Sequence, residues 1–76
     1  MIIAEGPCEI TVKTFEPFIG RTIRYYDPNS RIPVSDVYVF ACNGGVRAEH
    51  SLWPGIYLDL RGNKSVTLAK GIRYEA

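Results

Sequence analysis

The sequence predicts an all-β domain, a small antiparallel meander that closes into a barrel or sandwich of five or six short strands. Three observations carry this prediction. Several runs alternate between apolar and polar residues, which marks strands with one buried face. Turn signals separate those runs at Asp27-Pro28-Asn29-Ser30, Asn43-Gly44-Gly45 and Arg61-Gly62-Asn63-Lys64. No segment keeps a sustained helical period, and no internal repeat or low-complexity tract breaks the pattern. Strands joined by tight turns pair with their neighbours and curl into one layered core.

Taken in order, Gly6-Pro7 punctuates the start. Residues 8 to 15 then alternate, with Cys8, Ile10 and Val12 facing one way and Glu9, Thr11 and Lys13 the other. That predicts a half-buried strand. Glu16-Pro17 stops it, since proline cannot donate to a ladder and restricts the residue before it. Phe18-Ile19-Gly20 is a short apolar connection to a second strand at 21 to 26, with Ile23 and Tyr25 on one face and Arg24 and Tyr26 on the other. Asp27-Pro28-Asn29-Ser30 has type I turn chemistry: Asp accepts a local hydrogen bond and Pro already holds the required φ. Pro33 makes 31 to 34 an edge-like segment. Residues 36 to 42 are the most apolar run, and both parities are apolar. A central strand covered on two sides is expected there. Asn43-Gly44-Gly45 predicts a tight turn with Gly44 at positive φ, and Val46-Arg47-Ala48 returns antiparallel.

Residues 49 to 55 have no period and read as a loop held by Leu52 or Trp53. The clearest pattern follows. In Ile56-Tyr57-Leu58-Asp59-Leu60 apolar and polar residues alternate, then comes the turn signal, then Ser65-Val66-Thr67-Leu68-Ala69. A three-residue loop with Asn63 in the left-handed region sets Leu58 opposite Val66 and Ile56 opposite Leu68. A two-residue loop would oppose Leu58 to Thr67 and turn one apolar set toward water. The three-residue hairpin is therefore expected. The parity continues through Lys70-Gly71-Ile72-Arg73-Tyr74, so the last strand is read as running long with a bulge at Gly71. The expected core is Ile10, Val12, Ile23, Val37, Val39, Leu58, Val66 and Leu68.

Seventy-six residues make one domain whose core is marginal without support from disulfides, a metal or association. At 46% hydrophobic and 22% charged, the chain has an ordinary globular composition. Its formal charge of +1 lacks the basic excess of a domain held to phosphate backbones. Glu5, Gly6 and Pro7 interrupt the apolar start well short of a signal peptide's core, so cytoplasmic synthesis is expected. No run approaches a membrane span, so no membrane partner is expected. Termini fray unless tied down, and these are expected to be pinned in a sheet or against a neighbouring subunit. Cys8 and Cys42 fit no metal spacing and no CxxC motif. Each reads as a small buried hydrophobe, the alternative being a bridge between the first and central strands. A reducing cytosol favours free thiols.

No motif assigns an activity. His50 is the single histidine, and with Ser51 and Asp36 or Asp59 a triad can be composed on paper. Adjacent strand residues point apart, however, and no nucleophile turn surrounds Ser51. A loop histidine making a local hydrogen bond is expected instead. One His and two distant Cys are a poor metal set. Asn43-Gly44-Gly45 lacks the Lys-Ser/Thr and following helix of a phosphate loop. No catalytic residue, cofactor or metal is expected.

What remains is a surplus of aromatics. Tyr26, Tyr57 and Trp53 fall on polar faces or in a loop where packing does not require them, and Arg24 shares a face with Tyr26. Tyr, Trp and Arg are the residues that carry protein–protein interfaces. The expectation is a non-enzymatic module acting through protein partners or self-association in a larger assembly, for example a cement or decoration subunit on a virus shell. The alternative is a monomeric binder or inhibitor of a protein, or of single-stranded nucleic acid through Arg21, Arg24, Tyr25 and Tyr26. Balanced charge and the splitting of these residues between two faces disfavour nucleic acid.

Overall fold

The computed structural model describes every residue except Trp53, Pro54 and Ile56, and all described side chains except that of Tyr57. Its strands are β1 (Ile2–Glu5), β2 (Cys8–Ile10), β3 (Thr22–Tyr26), β4 (Val34–Cys42), β5 (Gly45–His50), β6 (Tyr57–Arg61), β7 (Val66–Leu68) and β8 (Arg73–Glu75). A single helical turn, α1 (Val12–Phe15), and a 3₁₀ turn at Glu16–Phe18 lie between β2 and β3. The all-β class predicted from the sequence is what forms. Six strands make one antiparallel sheet in the order β1-β8-β3-β4-β5-β6, and it curls into a half-barrel. β2 and β7 form a separate antiparallel pair.

From β3 to β6 the chain is the expected meander. At its centre, Cys42 pairs with Gly45, and Asn43 and Gly44 between them have φ of 49° and 77°. Two positive φ angles define a type I′ turn, whose twist matches that of the strands it joins. The Asp27 turn is also as expected: Asp27 Oδ1 accepts from the Asn29 N–H at 3.1 Å, and the Asp27 carbonyl accepts from Ser30 at 3.1 Å.

Four expectations are corrected. The strand expected at 8 to 15 ends at Ile10, and Val12–Phe15 is helical. The Thr11 N–H donates to Thr14 Oγ1 at 3.0 Å, and Pro17 sits in the first turn of the 3₁₀ segment, where its missing N–H is harmless. The turn brings Phe15 and Phe18 into the core, both absent from the expected core set.

The expected hairpin does not form, since β6 and β7 are not paired; the expected Ile56–Leu68 pair lies outside the described residues. Lys64 N–H donates to the Arg61 carbonyl at 3.0 Å, closing a two-residue loop with Gly62 rather than Asn63 at positive φ. That loop sets the parity that would oppose Leu58 to Thr67. The conflict is resolved by β7 leaving the sheet. It pairs with β2 instead, Cys8 with Leu68 and Ile10 with Val66, which gathers the apolar side chains of both strands on one face.

The last strand does not run long. β7 stops at Leu68, a turn with Gly71 at φ 89° follows, and β8 inserts between β1 and β3. This ties the termini: Ala76 N–H donates to the Met1 carbonyl at 2.8 Å. Finally, β4 is central in the sheet but covered on one face. Val37 and Val39 are fully buried, whereas Tyr38 is 47% exposed.

The inner face of the sheet packs on α1, the 3₁₀ turn and the β2–β7 pair. Its core is Ile10, Phe15, Phe18, Ile23, Val37, Val39, Val46, Ala48, Leu60, Leu68 and Tyr74, with Val12, Leu58 and Val66 partly buried against it. Phe15 meets Tyr74 edge to face at 5.0 Å between centroids. Cys8 and Cys42 are half-buried free thiols on separate elements.

Candidate interaction surface

Strand alternation sends every second residue outward, and antiparallel register then decides which outward residues are neighbours. Arg24 lies opposite Asp36 on β4 and opposite Glu75 on β8. Tyr26 lies between Val34 and Arg73. Tyr38 lies between Thr22 and Glu49, and Phe40 is opposite Arg47, which in turn is opposite Asp59. The outer face is thus an aromatic strip along β4 with charged pairs on both flanks.

The geometry is specific. The Tyr38 and Phe40 rings stack with centroids 5.9 Å apart and planes 19° apart. The Arg73 guanidinium carbon sits 4.0 Å from the Tyr26 ring centroid while its Nε bonds Glu75 at 3.2 Å. Cation–π contacts of this kind contribute about 0.5–1 kcal/mol at exposed sites. Asp59 accepts from Arg61 through both carboxylate oxygens at 3.2 Å and from Arg47 at 3.5 Å. These hydrogen bonds, Arg61 first, hold the Asp59 carboxyl below its ordinary value against a smaller opposing effect of desolvation. The Tyr26 phenol, then Asp36 and more weakly Glu75, favour the Arg24 charge. Exposed ion pairs add little stability, about 0–1 kcal/mol each. Their consequence here is that Arg47 and Arg61 already share Asp59, and Arg73 already holds Glu75, on this face.

Of the residues expected at an interface, Arg24 and Tyr26 lie together on this face. Register places Tyr57 opposite Glu49, but its side chain is outside the described residues, as is Trp53. The set considered for nucleic acid does not stay together. Tyr25 points inward, against Tyr74 at 5.1 Å and His50 at 4.7 Å, and Arg21 precedes β3, with its guanidinium 5.7 Å from the Phe18 ring. Sequence reasoning missed Tyr38 and Phe40 because all-apolar runs read as two-sided. A signal was present. The buried parity of β4 is Ser35, Val37 and Val39, while the other carries Asp36 and a phenol that prefers water.

The histidine reading is also corrected. His50 is no loop residue: it ends β5, is buried, and its Nδ1 lies 3.5 Å from Ser35 Oγ. Burial lowers its pKa. Beside it, burial and then the Asp27 carboxylate raise the Tyr25 phenol, which bonds Asp27 at 3.3 Å. Burial raises Tyr74 strongly. Ser35 is 2% exposed and its hydroxyl donates to the Asp36 carbonyl, so it has neither access nor freedom to act as a nucleophile. The cluster is structural. Among the described residues no group of three or more His, Cys, Asp or Glu is placed to hold a metal, and no helix is long and apolar enough to cross a membrane. Comparisons with protein families, curated proteins and solved structures found no match.

Proposed function

We propose that the protein is a non-enzymatic interaction module that works through protein–protein contacts in a larger assembly, using the outer face of its six-stranded sheet. The observation that carries this is the stacked Tyr38–Phe40 pair at the centre of a face where Asp59 and Glu75 are already paired with arginines. Aromatic and arginine side chains at the centre of a patch are the ones that dominate binding energy. Preformed Arg–carboxylate pairs lower the penalty for covering such a face, because neither charge is left alone. A cement or decoration subunit on a shell, such as a virus particle, is the concrete instance of this reading. Near-neutral charge and the inward turn of Tyr25 weigh against single-stranded nucleic acid.

Light scattering of the full chain over a wide concentration range, with and without a mixed-sequence oligonucleotide, tests the proposal. Mass that rises with concentration, falls in Tyr38→Ala and ignores the oligonucleotide supports it. A concentration-independent monomer that binds the oligonucleotide with steep salt dependence would replace it with the binder reading.

A further inference from the structure

The departure of β7 from β6 has a chemical consequence. Among the described residues, β7 pairs with β2 on one side and with no strand on the other. The Leu68 carbonyl lies against Gly6 on the β2 side. Successive strand residues direct their N–H and C=O groups to opposite sides, so those of Thr67 face the open edge. Proteins guard such edges with charge, proline or a bulge. The β1 edge has a bulge between Ile2 and Ala4 and is followed by Pro7. Ser65 to Ala69 has none of these, and β7 keeps regular register with β2. Charge begins only at its ends. Lys64 and Lys70 are both exposed, and neither makes an ion pair among the described residues.

We propose that the β7 edge takes up an extended segment of a partner protein by strand addition, a segment with an uncharged β-prone run flanked at both ends by acidic residues. Main-chain hydrogen bonds to Thr67 supply affinity, and the two flanking lysines supply specificity. The same lysines exclude a second copy of this chain. Antiparallel pairing of two β7 strands about Thr67 sets each Lys64 opposite the other chain's Lys70, and like charges directly opposite are destabilising. This site is separate from the outer face, so it goes beyond the function proposed above and can fail independently of it.

Two capped, dye-labelled peptides test it, a Thr-Val-Thr-Val-Thr run between two glutamates and the same run between two lysines. Binding to the full chain is read by fluorescence anisotropy. The acidic peptide should bind at least about tenfold tighter, with the difference shrinking as salt rises. In the double variant Lys64→Glu/Lys70→Glu, which alters only exposed side chains, the preference should invert. The Thr67 amide should gain protection from hydrogen exchange when the preferred peptide binds, and Tyr38→Ala should leave binding unchanged. Failure of both peptides to bind, a preference unmoved by the double reversal, or binding lost in Tyr38→Ala would each overturn the assignment.

Discussion

On the inner face of the sheet, Tyr74 meets Phe15 at 5.0 Å and Tyr25 at 5.1 Å, and Tyr74 is 3% exposed. On the outer face, Tyr38 and Phe40 stack at 5.9 Å with Tyr38 47% exposed. Both clusters are built from Phe and Tyr, but the inner one draws on α1, β3 and β8 and points into the core, whereas the outer one lies along β4 and points away from it. Inside, the rings replace water with protein on all sides, and their contacts belong to folding. Outside, about half of Tyr38 is still exposed, and that burial is gained only when something covers the face. Aromatic content alone therefore says nothing about role. Parity does.

That contrast can be broken in several ways. The largest effect is expected at Phe15, which is fully buried. Phe15→Ala should lower stability by about 3–5 kcal/mol in urea denaturation, whereas Phe40→Ala on the outer face should lower it by less than half as much. Equal losses would erase the distinction between the faces. Next comes the turn that sets parity across β4 and β5. Gly44 has φ 77°, where a β-branched residue is strained, so Gly44→Val should cost about 1–2 kcal/mol and lower Tm by roughly 5–10 °C. An unchanged Tm would mean that this hairpin does not depend on its turn.

A smaller effect is expected from pH. Burial lowers the folded pKa of His50 below its ordinary value of 6.5. Between the two values the unfolded chain binds the proton and the folded chain does not, so stability rises with pH in that window. It should be complete above about pH 6.5 and decline as pH falls through the window toward the folded value. Denaturation midpoints from pH 7.5 down to 5 should show this decline, and His50→Gln should flatten it. A midpoint that rises on acidification over that range would reverse the account of His50.

How far the sequence was legible follows from the same logic of parity. The reversal from β4 to β5 could be read directly, because Asn43-Gly44-Gly45 marks a tight turn, although the one-sided burial of β4 could not. The Arg61–Lys64 turn was just as visible, yet its strands part. A turn motif fixes where the chain reverses, and the apolar pattern decides whether the two arms can share a sheet. Here they cannot without exposing one set, and the partner that resolves the conflict, β2, lies more than fifty residues away in sequence. No local signal points to it. The α1 turn was hidden for a related reason: Thr11, Val12 and Lys13 continue an alternating pattern, and only the bonded Thr14 and the burial of Phe15 select helix. For the outer face, Arg24 and Tyr26 were legible from alternation, whereas Arg73 reaches Tyr26 only because β8 inserts between β1 and β3.

The most direct test of the central claim is a paired measurement on Tyr38→Ala, with unfolding midpoint and association constant taken from the same preparation. Because the side chain is half exposed and packs outside the core, stability should stay within about 0.5 kcal/mol of the parent. Association should weaken by about thirtyfold, the share that a central interface aromatic carries. A large fall in the midpoint with association intact would place Tyr38 in the folding core and contradict the outer face as the working surface of the protein.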